Sequence, residues 1–457
     1  MWRQSMFLFA LLTACVIPVS AGESRLADHV VLISIDGFRP DFYRQVNWPA
    51  PNLQQMAEEG VSADFVRGVF PSVTYPSHTT IVTGAKPARH GILYNSPFEP
   101  DGYTGAWFWH EKEIKVPTLW DAARDSNLTS ASIFWPVSVD APIDFNLPEI
   151  WPIKKDGEVE NKFEWYKKYI TPKSLVEDLE REEFGQLDSL DFDNGKMGFD
   201  LQTARAAAHI IRKHKPNLMT VHFLATDFAQ HDHGRDSFHL RKALGGVDFG
   251  ISLIREALED AGIEDSTAIV VVGDHGFVNA QTVIAPNVWL AQAGLRGERS
   301  LGDDWKATFH TTGASAFLML RDPSDEATVK KVKELLENLP ENRRRLFRML
   351  DRNDLKAMGS PDVPIALSPS EGIRLTYSAR GDDLAKSKYK RGDHGYVPDF
   401  EDIHTGFIGF GAGFEKDVRI KMIGLEDIAA IISHLLGMEM KTEGTTYPGF
   451  FVTPEKK

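Results

Sequence analysis

Cysteine is almost missing from this chain: of 457 residues, only Cys15 carries a thiol. An intramolecular disulfide is therefore excluded, and so is a thiol mechanism in any product cleaved downstream of it. A basic excess is missing too. The net charge of -14 argues against a general nucleic-acid binder, which needs a cationic face. It leaves small phosphorylated substrates open, because bound cations supply positive charge that a residue count misses. Long hydrophobic runs are confined to Met6–Val19, which is too short to span a bilayer comfortably. No later segment is apolar enough to cross a membrane, and no array-type repeat is found.

What is present begins with a leader. Arg3, the apolar run and the small residues Val19-Ser20-Ala21 before Gly22 read as an export signal over residues 1–21. Leu12-Thr13-Ala14-Cys15 also resembles a lipobox, so lipid anchoring through Cys15 stays an alternative to simple cleavage. Either way the expected location is periplasmic or secreted. Asn127-Leu128-Thr129 is a glycosylation sequon, without meaning in a bacterial source.

Hydrophobic residues make up 42% of the chain, enough for a sizeable core. Apolar, β-branched runs at 29–35, 130–134, 217–224 and 268–272 alternate with helical patterns at 51–59, 118–125, 201–214 and 240–261. Such alternation predicts an α/β layered fold with a mostly parallel sheet. Residues 152–198 are rich in charge and aromatics and look like an addition. Residues 300–385 lie between two similar motifs and read as an inserted cap subdomain, leaving 22–299 and 386–450 as the core.

Asp and His gather where predicted strands end. Asp36 closes the first strand, Asp227 follows another with His231 four residues on, and Asp274-His275 closes a third. The carboxyl ends of parallel strands share one edge, where active sites collect. Gly273-Asp274-His275-Gly276 has a near-copy in Gly392-Asp393-His394-Gly395. Imidazole and carboxylate together suit zinc. Taken singly, each piece has an ordinary reading as a helix cap, a helix-surface pair or a tight turn. Their joint occurrence points to a metal site.

These stretches resemble the nucleotide pyrophosphatase/phosphodiesterase branch of the alkaline phosphatase superfamily. The resemblance rests on Ile33-Ser34-Ile35-Asp36-Gly37-Phe38-Arg39, Phe70-Pro71-Ser72-Val73-Thr74-Tyr75-Pro76-Ser77-His78, Thr83-Gly84 through His90-Gly91-Ile92, Asn95, Asp227-x-x-x-His231 and both Gly-Asp-His-Gly motifs. It implies a three-layer αβα sandwich with a small cap, and two Zn2+ per chain. Asp36, Asp274 and His275 would hold one ion, which also contacts Thr74; Asp227, His231 and His394 would hold the other. Thr74 resembles the nucleophile, and Asn95 the residue that bonds a non-bridging phosphate oxygen. Tyr75 aligns with an aromatic that stacks on a nucleotide base, and Trp151 is a candidate for the opposing face. Read without the resemblance, Thr74 is a helix-capping threonine and Asn95 a turn residue.

Val73 stands where many relatives have Lys, and Ser77 replaces a common Asn; both departures leave substrate preference open. The implied activity is a phosphodiesterase or nucleotide pyrophosphatase acting through a phospho-threonine. A lipid-headgroup phosphodiesterase and a non-catalytic periplasmic binding protein are the alternatives. A cysteine-type sulfatase is excluded, since Cys15 lies in the leader.

Overall fold

The computed structural model describes residues 25–102, 104–153, 162–185, 197–302 and 304–453. The expected export signal, Cys15 included, lies outside them. Among the described residues, no helix is long and apolar enough to cross a membrane.

Six strands come first: β1 (His29–Ile35), β2 (Val61–Arg67), β3 (Ser130–Ile133), β4 (Phe145–Leu147), β5 (Leu218–Phe223) and β6 (Thr267–Gly273). The chain then makes an excursion through β7 (Val278–Ile284), β8 (Ala307–Thr312), β9 (Ser315–Leu320), β10 (Phe347–Asp351), β11 (Ile365–Pro369), β12 (Ile373–Leu375) and β13 (Leu384–Asp393). It returns as β14 (Phe407–Gly411) and β15 (Val418–Gly424). The main sheet has eight strands in the order β15-β2-β14-β6-β1-β5-β3-β4. Among the described strands of this sheet, only β14 runs antiparallel to its neighbours.

Burial on both faces explains why these strands read as unbroken apolar runs. Along β1, Val31, Ile33 and Ile35 join one hydrophobic cluster, while Val30 and Leu32 join another. Helices Met197–His214 and Phe238–Ala261 cover the first face; Thr74–Thr83, Leu119–Asp125 and Asp427–Leu436 cover the second. The result is a three-layer αβα sandwich. The excursion builds a four-stranded sheet (β10-β11-β9-β8) and a three-stranded one (β12-β7-β13). The second of these uses β7 and β13, which flank the expected 300–385 insertion.

One local expectation changes. Thr74, expected as a helix cap, is the first residue of its helix, and the capping position is Val73, whose side chain makes no cap. Pro76 did not exclude residues 74–78 from the helix. It sits in the first turn, where its missing N–H has no intrahelical partner to lose.

Register sets the site. Ile35 pairs with Phe223 on one side and with Gly273 on the other. The next residues, Asp36, Leu224 and Asp274, therefore leave the sheet at one level along its carboxyl edge.

Candidate active site

Two triads of ligand-type side chains form at that edge: Asp36, Asp274 and His275, and Asp227, His231 and His394. Within each, the donor atoms lie within 4.8 Å of one another. In the first, backbone N–H groups of Gly37 and His275 donate to Asp274 Oδ1 at 3.0 and 2.9 Å. That fixes the carboxylate with Oδ2 turned to His275 Nε2, 3.1 Å away. Asp36 Oδ1 is 3.5 Å from the same nitrogen. His275 Nδ1 lies 3.2 Å from the Gly276 carbonyl, which leaves Nε2 for the centre.

The second triad repeats the device. Asp227 and His231 share a face of the helix Ala225–His233 by their i, i+4 spacing. His231 Nδ1 is held at the Gly392 carbonyl (3.1 Å) and His394 Nδ1 at the Ser72 carbonyl (3.0 Å). Their Nε2 atoms face each other at 3.1 Å, with Asp227 Oδ1 at 3.4 and 3.7 Å. Glycine is required where this chain passes the helix: a Cβ on Gly392 would stand 2.6 Å from the Gln230 carbonyl. The triads adjoin, since the His275 and His394 rings stack with centroids 3.6 Å apart.

The electrostatics are those of a cation site. Burial, then the charges of Asp274 and Asp227, push the Asp36 carboxyl well above its usual range. Burial pushes Asp274 up to about 7. Burial, then neighbouring imidazoles, holds His275 and His394 well below the usual histidine value. Asp36 Oδ1, Asp227 Oδ1, Asp274 Oδ2 and His275 Nε2 are buried without a hydrogen-bond partner. Orphaned, like-charged groups at the centre of a fold are costly. Divalent cations fit them, and the mixed nitrogen and oxygen donors suit zinc.

Thr74 opens its helix and is 8% exposed. Two residues before it, Ser72 holds His394; one turn after it, His78 Nδ1 lies 2.8 Å from the Thr74 carbonyl and 3.8 Å from Asp274 Oδ2. Asn95 is half-buried, and its Oδ1 accepts from the Tyr75 N–H at 2.9 Å. This leaves the amide N–H groups to face another acceptor. Tyr75 is fully buried, so its ring has no face open to solvent. It meets Trp107 edge-on at 5.1 Å, and its hydroxyl donates to Glu149 Oε1 at 3.1 Å. Trp151 is half-buried with its edge on Phe134. The structure thus brings the six expected ligands together in two triads and sets Thr74 and Asn95 at the adjoining helix start and loop, while Tyr75 and Trp151 each pack on another ring.

Sequence reasoning missed His222 and Glu149. His222 Nε2 is 3.3 Å from Asp36 Oδ2, a charge contact without hydrogen-bond alignment, and its Nδ1 is 3.3 Å from Glu149 Oε2. Burial opposes a charged imidazole there, but Asp36 and Glu149 outweigh it and push His222 up to about 10. The available signal was a histidine inside the otherwise buried strand Leu218–Phe223.

Known proteins resemble this chain in sequence and fold. Residues 30–397 match the family model of type I phosphodiesterase / nucleotide pyrophosphatase. The chain is 26% identical over 423 residues to a mouse bis(5'-adenosyl)-triphosphatase, covering 90% of this chain and 78% of the relative. It is 22% identical over 434 residues to bovine ectonucleotide pyrophosphatase/phosphodiesterase family member 3, covering 92% and 43%. Human ectonucleotide pyrophosphatase/phosphodiesterase 5 superposes with a TM-score of 0.64 at 20% identity, over 91% of this chain and 97% of that one. An inactive form of the murine counterpart in complex with AMP gives 0.63 at 19% identity, over 92% and 97%. The chain belongs to the type I phosphodiesterase/nucleotide pyrophosphatase family.

Proposed function

We propose that this protein is an exported, zinc-dependent phosphodiesterase that cleaves phosphodiester or pyrophosphate bonds of nucleotides, with Thr74 as the nucleophile. The observation that carries the proposal is the pair of triads, with unpartnered donor atoms, beside the Thr74 turn, whose neighbours Ser72 and His78 each approach one triad. The mouse relative named for bis(5'-adenosyl)-triphosphate and the AMP complex of the murine neighbour support a nucleotide substrate.

Asp36, Asp274 and His275 would hold one ion and Asp227, His231 and His394 the other. When bound, such ions lower the pKa of a coordinated hydroxyl and offset charge on phosphoryl oxygens. Thr74 Oγ1 attacks phosphorus, the bond to the leaving oxygen breaks, and the phosphoryl group passes to Thr74. Water then attacks that phosphorus and restores the hydroxyl. Asn95, anchored through its carbonyl oxygen, donates its amide N–H to a non-bridging oxygen. The amino end of the ten-residue helix Thr74–Thr83 adds oriented N–H groups toward the same charge. Phosphoryl transfer needs this positioning more than elaborate side-chain chemistry.

The test is the relative rate on nitrophenyl-TMP, nitrophenyl phosphate and nitrophenyl-phosphorylcholine. Fastest turnover is expected on nitrophenyl-TMP. Turnover of nitrophenyl phosphate alone overturns the diesterase reading, and preference for the choline ester moves the substrate to lipid headgroups.

A further inference from the structure

We infer that Thr226 and Gln230 are positioning residues that fix the spacing between the two triads. The inference rests on the reading of both triads as metal sites.

Its origin is the periodicity of one helix. Residues four apart on a helix stand one above the other on the same face. The helix Ala225–His233 carries two such pairs side by side. Asp227 and His231 belong to the second triad. Thr226 and Gln230, one residue earlier in each case, reach the loop of the first triad instead. The Thr226 hydroxyl donates to the Asp36 carbonyl at 2.6 Å, and Gln230 Nε2 donates to the Gly37 carbonyl at 3.0 Å. That loop carries the first triad: Asp36 supplies one carboxylate, and the Gly37 N–H holds Asp274 Oδ1 at 3.0 Å. Two struts therefore run from the helix of one triad to the backbone of the other.

The struts are buried and held from behind. Thr226 and Gln230 are fully buried. Gln230 Oε1 accepts from Arg39 Nη1 at 3.3 Å. Arg39 is itself 1% exposed, held by Asp41 at 3.1 and 2.8 Å and by the Arg235 carbonyl at 2.7 Å, with its guanidinium over the Phe42 and Trp48 rings. A guanidinium only donates, so the Gln230 amide is oriented from both ends, oxygen to Arg39 and nitrogen to Gly37. The loop has no room to slide along the helix. Gly37 has a φ of +70°, and a Cβ there would stand 2.7 Å from Gln230 Nε2. An apolar side chain would fill this space at a smaller desolvation cost. What sets the two residues apart from ordinary satisfied core groups is their target, consecutive carbonyls of the segment that builds the opposite triad. In-line displacement between two cations depends on how far apart they are held, so the struts act on the rate without touching substrate.

The experiment uses the zinc-loaded full chain with Thr226→Val and Gln230→Met, singly and together. Each change keeps roughly the side-chain volume and removes the donor. Three quantities are read: turnover of nitrophenyl-TMP, zinc per chain, and the separation of the two zinc peaks in anomalous difference maps. In the double variant kcat is expected to fall roughly 10- to 100-fold, with KM changed by less than about threefold. Two zinc ions should stay bound, with their separation shifted by about 0.5 Å or more. Thr226→Ser keeps the hydroxyl and should recover most of the loss seen in Thr226→Val; this comparison decides the matter if the double variant does not fold. An unchanged separation, an unchanged kcat, or a fall in kcat that excess zinc restores overturns the strut assignment alone. A wild type without zinc in the triads refutes the metal-site reading, and this inference with it.

Discussion

Stripping the metals and raising the pH from 7 to 9 should destabilise the protein in a way the loaded form escapes. The groups responsible are His222, Asp274 and Asp36. His222 is fully buried between two carboxylates and is raised from 6.5 to about 10. A raised folded value means stability that is complete below the unfolded pKa and is lost as pH climbs toward the folded one. Between pH 7 and 9 that loss is about 3 kcal/mol, from two pH units at roughly 1.4 kcal/mol each. Asp274, raised by burial to about 7, and Asp36, raised by burial well above its usual range, act in the same direction, because the folded state keeps protons that the unfolded state has released. The depressed values of His275 and His394 matter below the usual histidine pKa and hardly enter this window. For a chain of 457 residues, an unfolding entropy near 2 cal/mol/K per residue converts 3 kcal/mol into about 3 °C of Tm. Bound cations need ionised carboxylates and neutral imidazoles, so their affinity rises with pH. The assay is calorimetric unfolding of loaded and chelated protein at pH 7, 8 and 9. Groups remote from the site cancel in the difference. The chelated form should lose about 3 °C between pH 7 and 9, and its gap to the loaded form should widen through the carboxylates and the rising cation affinity; parallel curves would refute the assignment of these buried groups to a cation site.

Two further outcomes follow from the same geometry. Thr74→Ala should abolish turnover while zinc content stays near two per chain, read by mass spectrometry of the dialysed protein; retained turnover refutes the nucleophile. His222→Ala removes the group fixing Asp36 Oδ2, so zinc affinity, read by chelator competition, should fall roughly 10- to 100-fold. His222→Gln should recover part of that loss, and unchanged affinity in both variants would separate His222 from the metal centre.

Much of the fold was legible because its strands are apolar on both faces. Thr267–Gly273, buried throughout, could hardly be anything but an inner strand. The residues of the two triads were legible because Asp and His at strand ends break that apolar pattern. Thr74 and Asn95 were not, from local pattern alone: a threonine before a proline and an asparagine in a loop are commonplace, and family motifs singled them out. Pro76 hid the true helix start, because proline breaks helices everywhere except the first turn. His222 and Glu149 were hidden because they stand 186 and 113 positions from Asp36 in the chain; only the register of β1 against β5 brings His222 behind that carboxylate. Tyr75 is a further case. Sequence places it beside Thr74, but its exposure depends on how Trp107 and Glu149 pack around it.

Anomalous diffraction from zinc-soaked crystals, recorded on both sides of the zinc edge, tests the central claim most directly. Two peaks are predicted, one among Asp36, Asp274 and His275 and one among Asp227, His231 and His394. No peak in either triad, or a single ion bound elsewhere, would contradict it.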